Sequence, residues 1–397
     1  MECRTKVDPG QGYEEGSLGA AYLGWKDQRA KRGIRYALAP LLMVMTLAKL
    51  CGEDEPKAMA EWVSLRSERL KALLTLPWKR MPHSRTYRRV MQQGVDVPQL
   101  EQEAGTYLST MSQAASEQLS LDGKTLRGTI PPGETQGVHV LAVQEVKKNL
   151  VLAQTAVGVK ENAISAAPRL IGQVDVEGKV VSGDAMQTQR ALSEQIVEDG
   201  GAYLWIVKEH QPTLRADIET LCMSQGMPGN LTDFRTAQTL DKGHGRIEQR
   251  RLTASSALHD SLDWPYVGQV LKIERETYHC RQQQTRSESV YGMTSLPAAK
   301  ADAARLMALV RNHWSIENGL HDRRDVTFQE DACRMKSRMA AQVSTYTKTF
   351  LYPTLEFAQC RMLWDDDLLR HGARHKNGLR ADSTEAGVQR RCDSSKG

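Results

Sequence analysis

The first quarter of the chain carries apolar residues with the period of an α-helix. They recur every three or four positions over residues 36–50 and again over residues 58–74. After two prolines, Ser84 stands where the N-cap of a further helix is expected. This spacing predicts a small helical unit over residues 18–95.

A second pattern begins near residue 118, where strand-like runs separated by turn-forming residues replace the helical period. The predicted elements are strands over 118–126, 138–146 and 150–157, a helix over 163–173, a strand over 179–182, a helix over 188–198 and a strand over 202–207. Three strands followed by helix, strand, helix and strand predict an α/β fold with a mixed sheet and helices on its faces. This order of elements is the one found in RNase H-like folds.

The strand pattern returns between residues 212 and 296, in runs over 246–253, 269–276 and 289–294. We interpret this part as a β-rich insertion into the mixed-sheet core. A long amphipathic helix is predicted next, over residues 302–320.

These patterns divide the chain into successive parts. They are a disordered N-terminus over 1–17, the helical unit over 18–95, a linker over 96–117, the mixed-sheet domain over 118–350 with its insertion over 212–296, and a tail over 351–397. The tail is rich in charge and poor in pattern, so we expect it to be disordered.

Composition is that of a soluble globular protein and does not by itself demand a particular partner. Hydrophobic residues make up 40% of the chain, charged residues 25%, and the net charge is +5. Two basic clusters lie in the helical unit, at residues 26–35 and 79–89. They suit contacts with the DNA backbone, and each suits a solvated helical face equally well.

Two further features bear on where the protein works. The most apolar stretch, Ala37–Leu50, is 14 residues long, whereas a membrane-spanning helix needs about 20. The seven cysteines form no C-x-x-C pair, so we expect a reduced compartment and no structural zinc. With no recognisable signal peptide, these features predict a cytoplasmic protein, associated with the nucleoid if its partner is DNA.

Three acidic residues lie in settings that a fold could bring together. Asp122 belongs to the first predicted strand, Asp184 follows the fourth, and Glu317 lies on the late helix. Ligands of open α/β sheets collect at the carboxyl ends of strands. Mg²⁺ favours carboxylate oxygens, and two such ions about 4 Å apart activate a water and stabilise a leaving oxygen in phosphodiester chemistry. One Asp after a strand is more often a turn or cap residue, but three in compatible settings indicate a metal site.

Residues near these acids suggest further roles. Gly123 would leave room for a phosphate beside Asp122. His313, His321 and Arg324 share a helical face with Glu317, which suits a metal ion together with a phosphate. A zinc site built from the two histidines is an alternative, but the spacing is not the H-E-x-x-H of zinc proteases.

Other polar residues are candidates for supporting roles. Asp325, Glu330 and Asp331 are acids that could replace or assist Glu317. A glycine-flanked turn carries three residues suited to contacts with the DNA backbone, namely Lys242, His244 and Arg246.

Five segments in this order resemble the motifs of a known family. They are Leu121–Gly128, Gly183–Gln189, Asp241–Glu248, His313–Asn318 and Asp325–Asp331. They are similar to those of DDE transposases of bacterial insertion sequences, in the branch that includes the H-repeat-associated proteins. The resemblance covers residues 20–345, and the helical unit matches the family's amino-terminal associated domain.

The resemblance implies an RNase H-like catalytic core, two Mg²⁺ ions with Mn²⁺ as a substitute, and terminal inverted repeats as the DNA substrate. Asp122, Asp184 and Glu317 would be both the catalytic residues and the metal ligands. Lys208 matches the family's basic strand end, with Gln211 beside it. The predicted DNA-binding residues are Lys208, Gln211, Lys242, His244, Arg246 and Arg324.

The sequence therefore predicts a transposase that binds double-stranded DNA at the ends of its element, cleaves it, and joins the 3′ hydroxyl to target DNA. Pairing two ends implies a homodimer or larger assembly on DNA. Two alternatives stay open, a Mg-dependent nuclease of the same fold and an inactive DNA-binding remnant. The remnant is favoured by one departure, because residues 343–355 are rich in threonine and tyrosine where the family continues with a leucine-rich helix.

Overall fold

A computed structural model gives the architecture of the chain. It describes residues 18–111, 117–158, 161–225, 227, 233–243, 245–314, 323–327, 329–332, 335 and 337–356. Predictions that fall elsewhere, among them the disordered N-terminus over 1–17, lie outside the described residues. The described residues up to Leu351 belong to one compact unit.

The N-terminal unit is helical, as the spacing of its apolar residues predicts. Its helices are α1 (Leu18–Leu23), α2 (Leu38–Leu50), α3 (Pro56–Leu65), α4 (Ser67–Leu73) and α5 (Ser84–Arg89). Their apolar faces enclose a core in which Leu41 and Trp62 are buried. Ser84 is the first residue of α5 and not its cap, because the imidazole of His83 accepts the hydrogen bond from the Arg85 backbone N–H.

The predicted linker over 96–117 is wrong for most of its length, because it contains helix α6 (Val97–Met111). Leu100, Ala104 and Leu108 lie four residues apart and are at most 2% exposed, so they form the buried stripe of a helix. This helix packs against an edge of the sheet, and residues 112–116, which follow it, lie outside the described residues.

The described strands form one mixed sheet. They are β1 (Gln118–Leu126), β2 (Val138–Glu145), β3 (Leu150–Ala156), β4 (Val180–Gly183), β5 (Ala202–Val207), β6 (Arg235–Gly243), β7 (Arg246–Ser255), β8 (Gln269–His279) and β9 (Gln284–Thr294). Their order across the sheet is β3-β2-β1-β4-β5-β9-β8-β7-β6. β4 runs parallel to β1 and to β5, and the other neighbours are antiparallel. The fold is mixed α/β, which confirms that part of the prediction.

The β-rich insertion extends this sheet and does not form a layer of its own. It opens with α9 (Pro212–Met223), and its four strands join the core through the antiparallel pairing of β9 with β5. The sequence pattern misses β6, because its side chains are mostly small or polar and none of them is fully buried.

Helices cover both faces of the sheet. The remaining ones are α7 (Ala163–Ile171), α8 (Arg190–Glu198), α10 (Ala303–His313) and α11 (Arg338–Glu356). α7 and α8 pack on the face that carries Leu121 and Trp205. α10 packs on the opposite face, where Leu306 and Val310 meet Leu204 of β5. Of the predicted helix over 302–320, residues 315–320 lie outside the described residues.

α11 buries a polar set of side chains that an amphipathic pattern does not predict. Its residues at most 4% exposed include Ser344, Thr345, Thr347, Lys348 and Thr349. The helix runs to Glu356, so the first residues of the predicted tail are helical, and residues 357–397 lie outside the described residues. No helix among the described residues combines the length and the apolar character of a membrane span.

Candidate functional site

Asp122 and Asp184 lie side by side in the sheet. The parallel strands β1 and β4 are in register from Gln118 opposite Val180 to Leu121 opposite Gly183. The two aspartates are the residues that directly follow this last pair. Because neighbouring strands are about 4.8 Å apart, the sheet brings together two carboxylates that are 62 positions apart in the sequence.

Both carboxylates lie on the face of the sheet that α10 covers. Ser120 and Ser182, two residues earlier on each strand, are joined by a hydrogen bond of 3.1 Å. On the same face, the Gln118 side-chain amide donates to the Leu309 carbonyl of α10 at 2.8 Å. Side chains alternate between the faces of a strand, so Asp122 projects toward α10 as well. Asp184 follows β4, and its charge acts on His313 at the end of α10.

His313, the last residue of α10, lies next to this pair. It is 5% exposed, and its Nδ1 is 3.2 Å from the Ser182 hydroxyl. Burial lowers the pKa of His313 to about 4; the Asp184 charge opposes this effect and the Lys208 charge adds to it. The imidazole is therefore neutral at neutral pH, and it lies within electrostatic reach of both residues.

Lys208 is one of the residues for which the sequence predicts a contact with DNA. It follows the last residue of β5, the parallel neighbour of β4, and its side chain is exposed. Gln211 has a different role in this structure, because its side-chain amide donates to the Thr188 carbonyl at 2.7 Å. That bond ties the segment after β5 to the segment after Asp184.

The third predicted ligand, Glu317, lies outside the described residues, as does His321. α10 ends at His313, four residues before Glu317. The structure therefore brings together two of the three predicted acids and places the helix that precedes the third beside them.

Backbone hydrogen bonds orient the two aspartates. The Asp122 Oδ1 accepts from the Gly123 backbone N–H at 2.7 Å, and the Asp184 Oδ1 accepts from the Met186 backbone N–H at 3.0 Å. Both side chains stay partly exposed. Two oriented, solvent-accessible carboxylates fit a hard divalent ion such as Mg²⁺. With Glu317 undescribed, no set of three acidic, histidine or cysteine side chains gathers around one point in the described part of the chain.

Gly123 has a different role from the one its sequence context predicts. A Cβ at this position would lie 2.5 Å from Nε2 of His139 on β2. The room that glycine leaves is therefore filled by an imidazole on the face opposite Asp122, not by a phosphate.

Lys124 is a residue that sequence reasoning missed. Its side chain is 8% exposed, and its ammonium nitrogen lies 2.5 Å from both carboxylate oxygens of Asp325. Asp331, the last residue of the same motif, accepts a hydrogen bond from the Arg127 backbone N–H at 3.2 Å. The motif after Glu317 is thus fastened to the strand that carries Asp122. The sequence offered one signal for this role. Lys124 lies two positions after Asp122 in the predicted first strand, and residues two apart on a strand share a face.

Arg324 does not match its predicted contact with DNA. Its side chain is 3% exposed, donates to the Gln154 side-chain oxygen at 2.9 Å, and lies 4.0 Å from the Glu330 carboxylate. Burial raises the pKa of Glu330, against the effect of the Arg324 charge. In this structure the guanidinium belongs to the interior and is not available to a phosphate.

The other predicted DNA-binding residues lie on the β6–β7 hairpin. Lys242 and Arg246 are exposed at its tip, and His244 lies outside the described residues. The hairpin is joined to α10 by an ion pair of 3.2 Å between Asp241 and Arg311.

Comparisons with known proteins identify the family of the chain. Residues 24–108 match the family model described as DDE_Tnp_1-associated, and residues 114–352 match the model described as Transposase DDE domain. The H repeat-associated protein YhhI of Escherichia coli strain K12 is 28% identical over 65% of this chain and 67% of its own length. The protein YncI of Escherichia coli O157:H7 is 25% identical over 80% of this chain and 81% of its own length.

One solved structure is a distant match. The cryo-EM structure of the piggyBac transposase synaptic complex with hairpin DNA aligns with 92% of this chain and 83% of that chain, at 11% identity and a TM-score of 0.38. At this identity and TM-score, the match gives no information about the fold or the site of the present chain. The assignment rests on the Transposase DDE domain model, which matches more than half of the chain. This protein belongs to the DDE transposase family.

Proposed function

We propose that the protein is an insertion-sequence transposase that binds the ends of its element, cleaves the DNA and joins the resulting 3′ hydroxyl to target DNA. The observation that carries this proposal is the pairing of Asp122 with Asp184 at the end of parallel strands, beside the helix that leads to Glu317. Family membership supports the class of reaction, and the geometry of the site supports the choice of residues that would perform it.

An RNase H-like core is part of this proposal. Support comes from the first five strands, which have the order β3-β2-β1-β4-β5 with β1, β2 and β3 antiparallel and β4 and β5 parallel to β1. The first acid lies on the first strand of that unit and the second follows its fourth strand. This placement supports the proposal that Asp122 and Asp184 belong to one metal site.

The chemistry requires divalent metal, which Asp122, Asp184 and Glu317 would hold. When bound, two Mg²⁺ ions would activate the attacking water or hydroxyl and stabilise the leaving oxygen. Because His313 stays neutral, it leaves the negative charge of Asp184 available to a cation. The exposed ammonium of Lys208, one residue after β5, is positioned to attract a phosphate of the scissile strand.

Double-stranded DNA is the partner that this site requires, both as element end and as target. Exposed basic residues of the β6–β7 hairpin, Lys242 and Arg246, support a contact with its backbone. Two element ends must be held together for joining, so we assign a homodimer on DNA as the working assembly.

The experiment that tests the function supplies a DNA end already cleaved to a 3′ hydroxyl, a plasmid target and Mg²⁺. We expect joined product from the wild-type chain and a loss of more than about 100-fold from Asp122→Asn and from Glu317→Gln. Glu198→Gln, an exposed acid on α8, is the matched control and should behave like wild type.

The same assay, run in parallel on an element end that has not been cleaved, separates the alternatives. Hydrolysis of an uncut end without any joining would identify a nuclease. A wild-type chain that binds DNA but performs neither step would identify an inactive remnant. Either result would contradict the proposed function.

A further inference from the structure

The two basic clusters of the N-terminal unit meet around one cavity. Residues of the loop before α2 and of α5 line a space of about 150 Å³, which corresponds to roughly five water molecules of liquid volume. Four arginines contribute to its walls, Arg29, Arg35, Arg85 and Arg89. The sequence separates the two pairs by about 50 residues, so only the fold makes them one cluster, which we call the arginine pocket.

Positive charge exceeds negative charge in the arginine pocket. Asp27 neutralises one guanidinium, accepting hydrogen bonds from Arg29 at 2.6 and 2.8 Å. Arg89 donates to the Ala30 carbonyl at 3.2 Å. Arg35 and Arg85 are exposed, and neither has an acidic partner among the residues that the structure describes.

The walls of the pocket are fixed before any ligand binds. Arg29 is 6% exposed, and it also donates to the Tyr36 carbonyl at 2.9 Å. The Tyr36 hydroxyl in turn donates to the Arg80 carbonyl at 3.1 Å, and its ring packs edge-on against Trp78 at 5.1 Å. These contacts fix the Arg29 guanidinium and join the two basic segments, so the backbone that carries Arg35 and Arg85 is held in place for an anion.

The surroundings of the pocket favour a polymeric anion. Further exposed basic residues without an acidic partner in the described part of the chain flank it on both segments, namely Lys26, Lys31, Arg32, Lys79, Arg80 and Arg88. A single small anion would use only the pocket, whereas a nucleic-acid backbone carries one phosphate after another along such a surface.

We propose that the arginine pocket binds a backbone phosphate of duplex DNA and anchors the N-terminal unit to the element end. This inference rests on the proposed function for the identity of the DNA. Guanidinium groups contact phosphate through paired N–H donors, and such contacts position a protein on DNA without reading its sequence.

The test is a salt titration of DNA binding in EDTA, with duplex that carries the element end. Arg35→Ala/Arg85→Ala should weaken binding at 0.1 M salt by about tenfold, and should reduce the slope of log K against log salt by roughly 1, because one phosphate contact is lost. Lys57→Ala/Arg69→Ala removes the same charge from exposed positions of α3 and α4, and it should keep the wild-type slope. Thermal unfolding of both variants checks that each is folded.

Two results would overturn the inference. One is a wild-type salt slope in Arg35→Ala/Arg85→Ala. The other is calorimetric binding of inorganic phosphate that this variant loses while its DNA binding stays unchanged, which would assign the pocket to a free anion. Because the titration needs no metal and no cleavage, a chain that fails to join DNA but shows the expected slopes would contradict only the proposed function.

Discussion

His313 lies beside the end of β4, where burial keeps its imidazole neutral at neutral pH. Its neighbours are the Ser182 hydroxyl and the charges of Asp184 and Lys208. A protonated imidazole here would compete with a metal ion for the Asp184 carboxylate, so its neutrality suits a cation site. At the scale of single residues, the site depends on groups whose charge state the fold sets.

This neutrality has a consequence for stability. The pKa of His313 is about 4 in the folded chain against an ordinary value of 6.5, so the unfolded chain binds the proton more readily. The contribution of His313 to the free energy of unfolding is therefore complete above pH 6.5 and is lost as the pH falls toward 4, by on the order of 3 kcal/mol in full.

The substitution His313→Gln removes this titrating group. We expect urea unfolding of the metal-free protein to show a smaller decline between pH 6.5 and 4.5 for this variant than for wild type. Parallel declines would contradict the assignment.

The ion pair of Lys124 with Asp325 gives a second prediction. It spans 201 positions and ties the motif after Glu317 to the strand of Asp122. Lys124→Met should lower strand joining by about tenfold, because the segment that follows Glu317 loses its attachment. The exchange Lys124→Asp/Asp325→Lys should recover part of that loss, while DNA binding stays constant throughout. Equal activity of the single and exchanged variants would show that the pair does not position the site.

At the scale of elements, much of the core follows from local patterns. The apolar runs of β1 and β5 predict both strands with the bounds that the structure has. The proximity of Asp122 and Asp184 also follows in part, because one belongs to the first strand of the unit and the other follows its fourth. The register does not follow, since Asp122 lies in the middle of β1 and not at its carboxyl end. β6 and α6 do not follow as easily. The sequence of β6 shows little alternation of apolar and polar residues, and the buried stripe of α6 consists of only three apolar residues.

The polar face of α11 could not be predicted, because its partners lie almost 300 residues earlier. Lys348 pairs with Asp54 at 2.9 Å, and Lys49 lies 3.2 Å from the same carboxylate and 2.6 Å from the Ser344 hydroxyl. Two lysines that are at most 3% exposed thus share one acid. At Ser344 and Lys348, what looks like a departure from a leucine-rich helix is a pair of contacts with the N-terminal unit.

Asp54→Asn tests this role of α11. It would leave two buried ammonium groups without their shared counter-charge, and it should lower the free energy of unfolding by about 3 kcal/mol or more. Glu55→Gln is the matched control, an exposed acid whose loss should cost less than about 0.5 kcal/mol. Chemical denaturation of both variants makes the comparison, and equal midpoints would show that the buried cluster does not join the two parts.

At the scale of the whole molecule, three separate parts of the chain converge on the reaction. The mixed sheet pairs Asp122 with Asp184, α10 leads to Glu317, and α11 holds the N-terminal unit in contact with the core. The arginine pocket in that unit would then hold the DNA at a fixed relation to the carboxylates. Sequence alone predicts the parts, but not the ion pairs between residues hundreds of positions apart that join them.

The central claim is that Asp122 holds a catalytic divalent ion together with Asp184 and Glu317. The most direct measurement is the rate of strand joining by Asp122→Cys in Mg²⁺ and in Mn²⁺. A thiolate is a poor ligand for Mg²⁺ and a better one for Mn²⁺, so we predict no joining in Mg²⁺ and a clear recovery in Mn²⁺, with Asp122→Asn inactive in both. Joining by Asp122→Cys at the wild-type rate in Mg²⁺, or none with either ion, would contradict the claim.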